Sequence, residues 1–334
     1  MTKPVRPARA PSAPNAQKKA ATKESVTKES DHEASPAPPE TPVEPDEAAV
    51  PQRPVEDILL HKDFVAVRNR QIAGTLALYD LQRFPGGYAV DPWRVLLLGQ
   101  IMGMVSIERD GPTTATPTEL KQRMTTYGLY SPRQIDAYLS RLVQTGDLEV
   151  SVSSQDRRMR LLRPLPPLVD WYWSFLNLYH SSYRDLFPER SFNLIEHRDA
   201  GFLPFMARVG ADKLSSTNSI ALMTRDPAFT VFYARSSGSL IFHVALNLQI
   251  HHPGRAIREG DLLAHMARFG CSRSHLRNLI GLAIETGFFE ENGSRRQDLR
   301  LTERLIATMN HYIADTIRAS EWTYRRAERQ YRKA

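Results

Sequence analysis

One pattern occurs twice in this chain, about 140 residues apart, and it restricts the fold more than any other feature. The first copy runs from Thr118-Glu119-Leu120 through Met124 to Gly128, continues with Ser131-Pro132-Arg133-Gln134-Ile135, Leu139 and Leu142, and closes on Thr145-Gly146-Asp147-Leu148. The second runs from Asp261-Leu262 through Met266 to Gly270, continues with Ser272 to Leu276, Leu279, Ile280 and Ala283, and closes on Thr286-Gly287-Phe288-Phe289. Pairing Leu120 with Leu262, Met124 with Met266, Gly128 with Gly270, Ser131 with Ser272, Ile135 with Leu276, Leu139 with Ile280 and Gly146 with Gly287 takes one single-residue gap. Self-similarity at this scale means one supersecondary unit built twice. The spacing within each copy is that of two helices separated by a turn and followed by a hairpin.

Local signals place the elements of the first copy. Asp91-Pro92 opens a helix expected to reach about Ile107, because Pro at the first helical position after an Asp cap is a start signal. Thr116 with Glu119, and Ser131 with Gln134, have the spacing of capping boxes. The helix after Thr116 stops at Gly128, and the helix after Ser131 repeats Ile135, Leu139 and Leu142 on one face and stops at Gly146. Leu148 to Val152 alternates apolar with polar, Ser153 to Arg158 turns, and Met159 to Leu162 returns, which reads as a two-stranded hairpin. The second copy follows the same order: a helix near Ser239 to Ile250, a short one from about Glu259 to Phe269, one after Ser272, and a hairpin with Glu290 to Gln297 at its tip. One further single-residue gap aligns Leu299-Arg300-Leu301 with Met159-Arg160-Leu161. Both copies lead into a helix, Leu165 to about Tyr183 and Thr302 to the C-terminus, the latter with an Arg-rich end from Arg318 to Lys333.

Residues 1–54 hold eleven of the 23 prolines and too few aromatic or branched aliphatic side chains to offset ordering entropy, so a disordered tail is expected there. Its charges cancel, seven Lys or Arg against Glu24 up to residue 28 and seven acids against Arg53 afterwards, and the net +7 belongs to the remainder. After residue 54 the cations are Arg except for Lys62, Lys121, Lys213 and Lys333. Arg is the better fork for phosphate and guanine edges, although codon bias in a GC-rich genome gives the same composition. A lone Cys271 excludes a disulfide framework, and the apolar runs Val95 to Ile107 and Leu240 to Ile250 are short of the ~20 residues of a membrane span. A cytoplasmic protein is expected, without membrane partners.

With these residues in place, the chain resembles the MarR-type winged helix-turn-helix transcription regulators, over about residues 91–185 and more weakly 226–334. The resemblance rests on the Ser-initiated helix, the Leu, Leu, Gly spacing that leaves it, the Asp156-Arg157-Arg158 of the hairpin and the helix that follows. It implies a mainly α fold with short β-hairpin wings: a first domain at 55–188 and a second at 189–334 with the long C-terminal helix. The second copy departs from the family order, having Arg295-Arg296-Gln297-Asp298 at its tip. Family members are usually single-domain homodimers, so this chain reads as a fused dimer. It would act as a monomer with internal pseudo-symmetry, or as a homodimer through its last helix.

The major groove of B-DNA admits one helix, whose leading residues reach base edges while a wing lies along the neighbouring backbone. On that layout Arg133, Gln134 and Arg141 are the reading candidates of the first unit, and Ser274, His275, Arg277 and Asn278 those of the second. Arg157, Arg158, Arg160, Arg295, Arg296 and Arg300 are wing or phosphate contacts. The competing reading is that these residues are simply solvated helix faces.

The implied function is a sequence-specific duplex-DNA-binding transcriptional regulator whose two units read half-sites about one helical turn apart. A replication or partition initiator and a winged-helix protein-interaction module are the alternatives. No metal, cofactor or enzymatic motif is expected: His251, His252, His265 and His275 lack ligand spacing. Cys271 reads as a small buried residue or, less simply, a redox sensor. Trp171, Phe175 and Tyr179, at i, i+4 and i+8, read as core or interface, or as the lining of a small-molecule effector pocket. Residues 189–230 carry no interpretable motif beyond helical patterns at Phe192 to Ile195 and Phe202 to Met206. They are expected to be a linker layer.

Overall fold

A computed structural model describes residues 52–88, 91–105, 115–126, 131–154, 156–215, 225–233, 235–292 and 298–334. Most of the expected tail, with Gly128, Arg295 and Arg296, lies outside them. The chain is mainly helical with small antiparallel sheets. The elements before the first hairpin are α1 (Val55–Leu59), α2 (Phe64–Tyr79), α3 (Pro92–Met104), α4 (Pro117–Thr126) and α5 (Pro132–Gln144). Then come β1 (Leu148–Val152), β2 (Arg160–Pro164) and α6 (Pro166–Leu186). A middle segment holds α7 (Asn193–Glu196), α8 (Leu203–Ser215) and α9 (Pro227–Tyr233). It is followed by α10 (Leu240–His251), β3 (Ile257–Arg258), α11 (Glu259–Met266) with a 3-10 turn at Ala267–Phe269, α12 (Arg273–Glu285), β4 (Phe289–Glu291), β5 (Asp298–Leu301) and α13 (Glu303–Lys333). The order α3, α4, α5, β1, β2, α6 thus recurs as α10, α11, α12, β4, β5, α13.

The recurrence extends to individual hydrogen bonds. The Ser131 hydroxyl accepts from the Gln134 amide at 3.3 Å while the Gln134 side chain accepts from the Ser131 amide at 3.0 Å, a complete capping box. Ser272 caps α12 by accepting from the His275 amide at 3.3 Å. Both helices then end the same way. The Asp147 amide donates to Leu142 O at 2.8 Å and the Gly146 amide to Val143 O at 3.2 Å; Phe288 donates to Ala283 O at 2.8 Å and Gly287 to Ile284 O at 3.0 Å. These are Schellman closures, and they need Gly146 and Gly287 at φ 73° and 72°. Leu120, Met124 and Ile135 are fully buried, as are their partners Leu262, Met266 and Leu276.

Two local expectations are corrected. Thr116 does cap α4, accepting from the Glu119 amide at 3.1 Å, but the Glu119 carboxylate turns to Arg123 at 2.8 Å instead of completing a box. The hairpins align differently from the sequence pairing. Leu148 lies opposite Pro164 and Val150 opposite Leu162, whereas Phe289 lies opposite Leu301 and Glu291 opposite Leu299. Leu299-Arg300-Leu301 therefore corresponds to Leu162-Arg163-Pro164, not to Met159-Arg160-Leu161, and the first hairpin is the longer. β3 joins the second sheet with Ile257 opposite Leu299. In the first half the Leu162 amide donates to Ala115 O at 2.8 Å in the same place.

The described residues, 52 to 334, fall in one compact unit. α2 packs against both α6 and α10, and α13 packs against α1, α6 and α8. α8 also lies along α3, so close that a Cβ on Gly103 would stand 3.1 Å from Arg208 Cα. At the seam between α6 and α13, the buried His180 places Nε2 3.0 Å from Ser320 O and Nδ1 2.6 Å from Leu176 O. Burial pushes His180 down to about 4, against the pull of those carbonyls, and pushes His243 on α10 down to about 4 as well.

Two outcomes are expected. Gly146→Ala and Gly287→Ala, having open space but the wrong φ, should each lose ~1 kcal/mol in urea unfolding. His180 and His243 titrate near pH 6.5 when unfolded and near 4 when folded, so the unfolded state binds more protons between those values. Stability should therefore fall as pH drops from 6.5 to 4, by up to about 3 kcal/mol per ring. Unfolding midpoints measured at several pH values check this, and a flat profile contradicts it.

Candidate nucleic-acid interface

α5 buries Ile135, Tyr138, Leu139 and Leu142 and exposes Arg133, Gln134, Asp136, Ala137, Ser140 and Arg141. That is the division expected of an amphipathic helix packed on one side. Within the exposed face, several side chains already have partners. The Gln134 side-chain oxygen is held in the cap, Asp136 pairs with Lys121 at 3.0 Å, and Arg141 donates from Nε to Pro85 O at 3.1 Å. Arg133 has no side-chain partner among the described residues. The Tyr138 hydroxyl is buried without a hydrogen bond, and burial raises its pKa.

α12 presents Ser272, Arg273 and Ser274 at its leading end. Ser274 Oγ lies 3.2 Å from Ser272 Oγ. His275, half-buried, sets Nε2 2.8 Å from Ser236 O, and Arg277 is drawn to Glu259 at 2.8 Å. Asn278 is exposed and has no partner among the described residues. Arg273, in the first turn of α12, belongs with these residues although sequence reasoning passed over it in favour of the positions after it. Its signal was the place itself, one residue past the cap.

In the first hairpin Asp156 organises the tip: its carboxylate accepts from the Arg158 amide at 2.9 Å and its carbonyl from the Met159 amide at 2.9 Å. The side chains of Arg157, Arg158 and Arg160 project into solvent, with no partner among the described residues. Arg163, also missed, faces Glu149 across the strands at 3.5 Å, and Arg300 occupies the equivalent place opposite Glu290. Arg300 thus stands beside a carboxylate, which reduces what it offers a phosphate.

Gln134, Ala137 and Arg141 of α5 line a cleft of about 450 Å³ together with Trp93, Arg94 and Ser236. Ser236 is the residue whose carbonyl meets His275. Nearby loops are tied across the two copies. The Ser237 amide donates to Asp91 Oδ1 at 3.2 Å and the Leu81 amide to Arg268 O at 3.0 Å, while Arg268 pairs with Asp80; within the second copy the Ser237 hydroxyl donates to Phe269 O at 3.1 Å.

A second cavity, about 220 Å³, lies between α2, α6, α8, α9 and α13 and is lined by Tyr79, Phe175, Tyr179, Tyr233, Tyr312 and Asp315 among others. Burial pushes Tyr233 up to about 12 and raises Asp315, even though Arg318 lies 2.6 Å from that carboxylate. Trp171, Phe175 and Tyr179 stack along α6 with centroid spacings of 5.5 and 4.8 Å. Trp171 is core, its Nε1 donating to Leu78 O at 3.0 Å, and the other two face the cavity. Cys271 is buried and its thiol pKa raised by that burial, which suits a small packing residue. Among the described residues no cluster of His, Cys, Asp or Glu could hold a metal ion, and no helix is long and apolar enough to cross a membrane.

No protein family, curated protein or solved structure matches the chain.

Ser131→Ala and Ser272→Ala remove the caps of the two exposed helices. Each should cost ~1 kcal/mol in urea unfolding and speed amide exchange in the first turn of its helix.

Proposed function

We propose that this chain is a sequence-specific duplex-DNA-binding regulator of transcription, with two winged helix-turn-helix units in one polypeptide that act from the cytoplasm. The observation that carries the reading is the doubled element order in which α5 and α12 both keep their leading turns at the surface, the first beside an arginine-tipped hairpin. A helix N-terminus carries partial positive charge and unbonded amides, which favours approach to a polyanion. Arg133, Arg273, Ser274 and Asn278 are then the groove-facing groups and Arg157, Arg158 and Arg160 the phosphate contacts. Arg141, Gln134, His275 and Arg277 act mainly by fixing the helices. The likeness to MarR-type regulators points the same way, and the tyrosine-lined cavity between the halves is where a small-molecule effector would lodge.

Electrophoretic shifts on duplex DNA over a range of salt test this. An Arg157→Ala, Arg158→Ala double variant should weaken binding to all sequences alike and reduce the magnitude of the log–log salt slope by about 2. Arg133→Ala should instead relax preference at one base pair, worth about 1–3 kcal/mol of discrimination. A wild-type chain that shows no salt-sensitive retention on duplex DNA refutes the reading.

A further inference from the structure

We propose that the cavity between α2, α6, α8, α9 and α13 binds a small aromatic organic cation, with the ligand's ring among Phe175, Tyr179, Tyr233 and Tyr312 and its positive group against Asp315. The inference rests on the reading of this cavity as an effector site and adds the chemical class of the ligand. It does not require that the chain bind DNA.

The walls are aromatic, and their hydroxyls are spent on one another. Phe175 meets Tyr179 edge to face at 4.8 Å, and Tyr233 meets Tyr312 edge to face at 6.1 Å. The Tyr79 hydroxyl bonds with that of Tyr179, and the Tyr233 hydroxyl with that of Tyr312. Burial raises the pKa of all four, so each is a neutral phenol. Hydroxyls paired in this way leave few donors for an anionic ligand, whereas ring faces carry the negative side of the π quadrupole and attract positive charge. A cavity of about 220 Å³ is smaller than the pockets of drug-sized ligands and suits a single ring with a short side chain.

The buried charge of the lining is negative. Asp315 lines the cavity with a side chain only 3% exposed. Two cations border the cavity as well, and both reach water: Arg318 pairs with Asp315 at 2.6 Å while 37% of its own side chain is exposed, and the exposed Lys213 stands 4.8 Å over the Trp322 ring. Solvent screens these two, and it screens Asp315 far less. A ligand cation therefore meets a carboxylate in a setting of low dielectric, and Arg318 gives way by turning outward. Trp322, on the same lining, already draws Lys213 and, at 5.5 Å, Arg326 to its ring.

Isothermal titration calorimetry of the full chain with three molecules of one framework tests this: 2-phenylethylammonium, neutral 2-phenylethanol and anionic phenylacetate. The expected result is one site per chain, with the ammonium bound about tenfold tighter than either of the others. Asp315→Asn should weaken the ammonium about tenfold and leave 2-phenylethanol unchanged. Thr316→Lys puts a competing cation at a half-buried position of the same lining and should also weaken the ammonium about tenfold, which keeps the test open if Asp315→Asn fails to fold. Phenylacetate or 2-phenylethanol bound as tightly as the ammonium would overturn the inference and leave the effector reading of the cavity standing. Ammonium binding that neither variant alters would place the ligand elsewhere and overturn the inference too. Binding of none of the three would remove the inference together with the effector reading, and the DNA-binding reading, judged by salt-sensitive retention, stands or falls separately.

Discussion

The packing of α13 against α6 is the constraint on which the rest of the molecule depends. α13 has 31 residues and is therefore about 46 Å long. It is buried on one stripe from Leu305 to Ala327 and packs against α1, α6 and α8. α6 answers with Leu176 and Tyr183, both buried, and with His180, whose ring bridges to the Ser320 carbonyl. Each buried side chain of this size contributes about 1.5–3 kcal/mol, so exposing this seam would cost an amount comparable to a typical domain's net stability. The apolar stripe of α13 is used within the chain, and the two copies fold as one body.

Joining the copies in this way decides what the surface can do. α3 is pinned by α8, α8 by α13, and the loops entering α3 and α10 are brought against the opposite copy. Those loops supply the carbonyls of Pro85 and Ser236 that capture Arg141 and His275. Side chains that look available on a helical wheel are thereby occupied, and among the described residues the exposed groups without a side-chain partner include Arg133, Arg273, Asn278, Arg157, Arg158 and Arg160. Burial acts on the interior in the opposite sense, raising tyrosines around the central cavity and lowering His180 and His243.

What was legible in the sequence is what short-range chemistry fixes. Ser131 and Ser272 announce helix starts, Gly146, Gly270 and Gly287 announce stops, and the structure uses each as the local rules require. The apolar spacing of the repeat gave the buried faces of α5 and α12. Three things were not legible. The alignment of the two return strands slipped by three residues, because Leu299-Arg300-Leu301 matched the residue types of Met159-Arg160-Leu161 while the first hairpin is longer. α7, α8 and α9 carry no motif; α8 takes its role from contacts with α3 and α13, and α7 packs on α6. The division of exposed polar residues into free and occupied depended on partners 18 to 56 positions away, such as Glu259 for Arg277 and Pro85 for Arg141.

The central claim is that one shared core holds α5 and α12 in a fixed relation to each other. Electron–electron distance measurement between spin labels tests it most directly, with the labels placed at Ala137→Cys and Asn278→Cys in a Cys271→Ser background. The account gives a single narrow distribution, unchanged when duplex DNA is added. A broad or two-peaked distribution, in the free protein or on DNA, would contradict it.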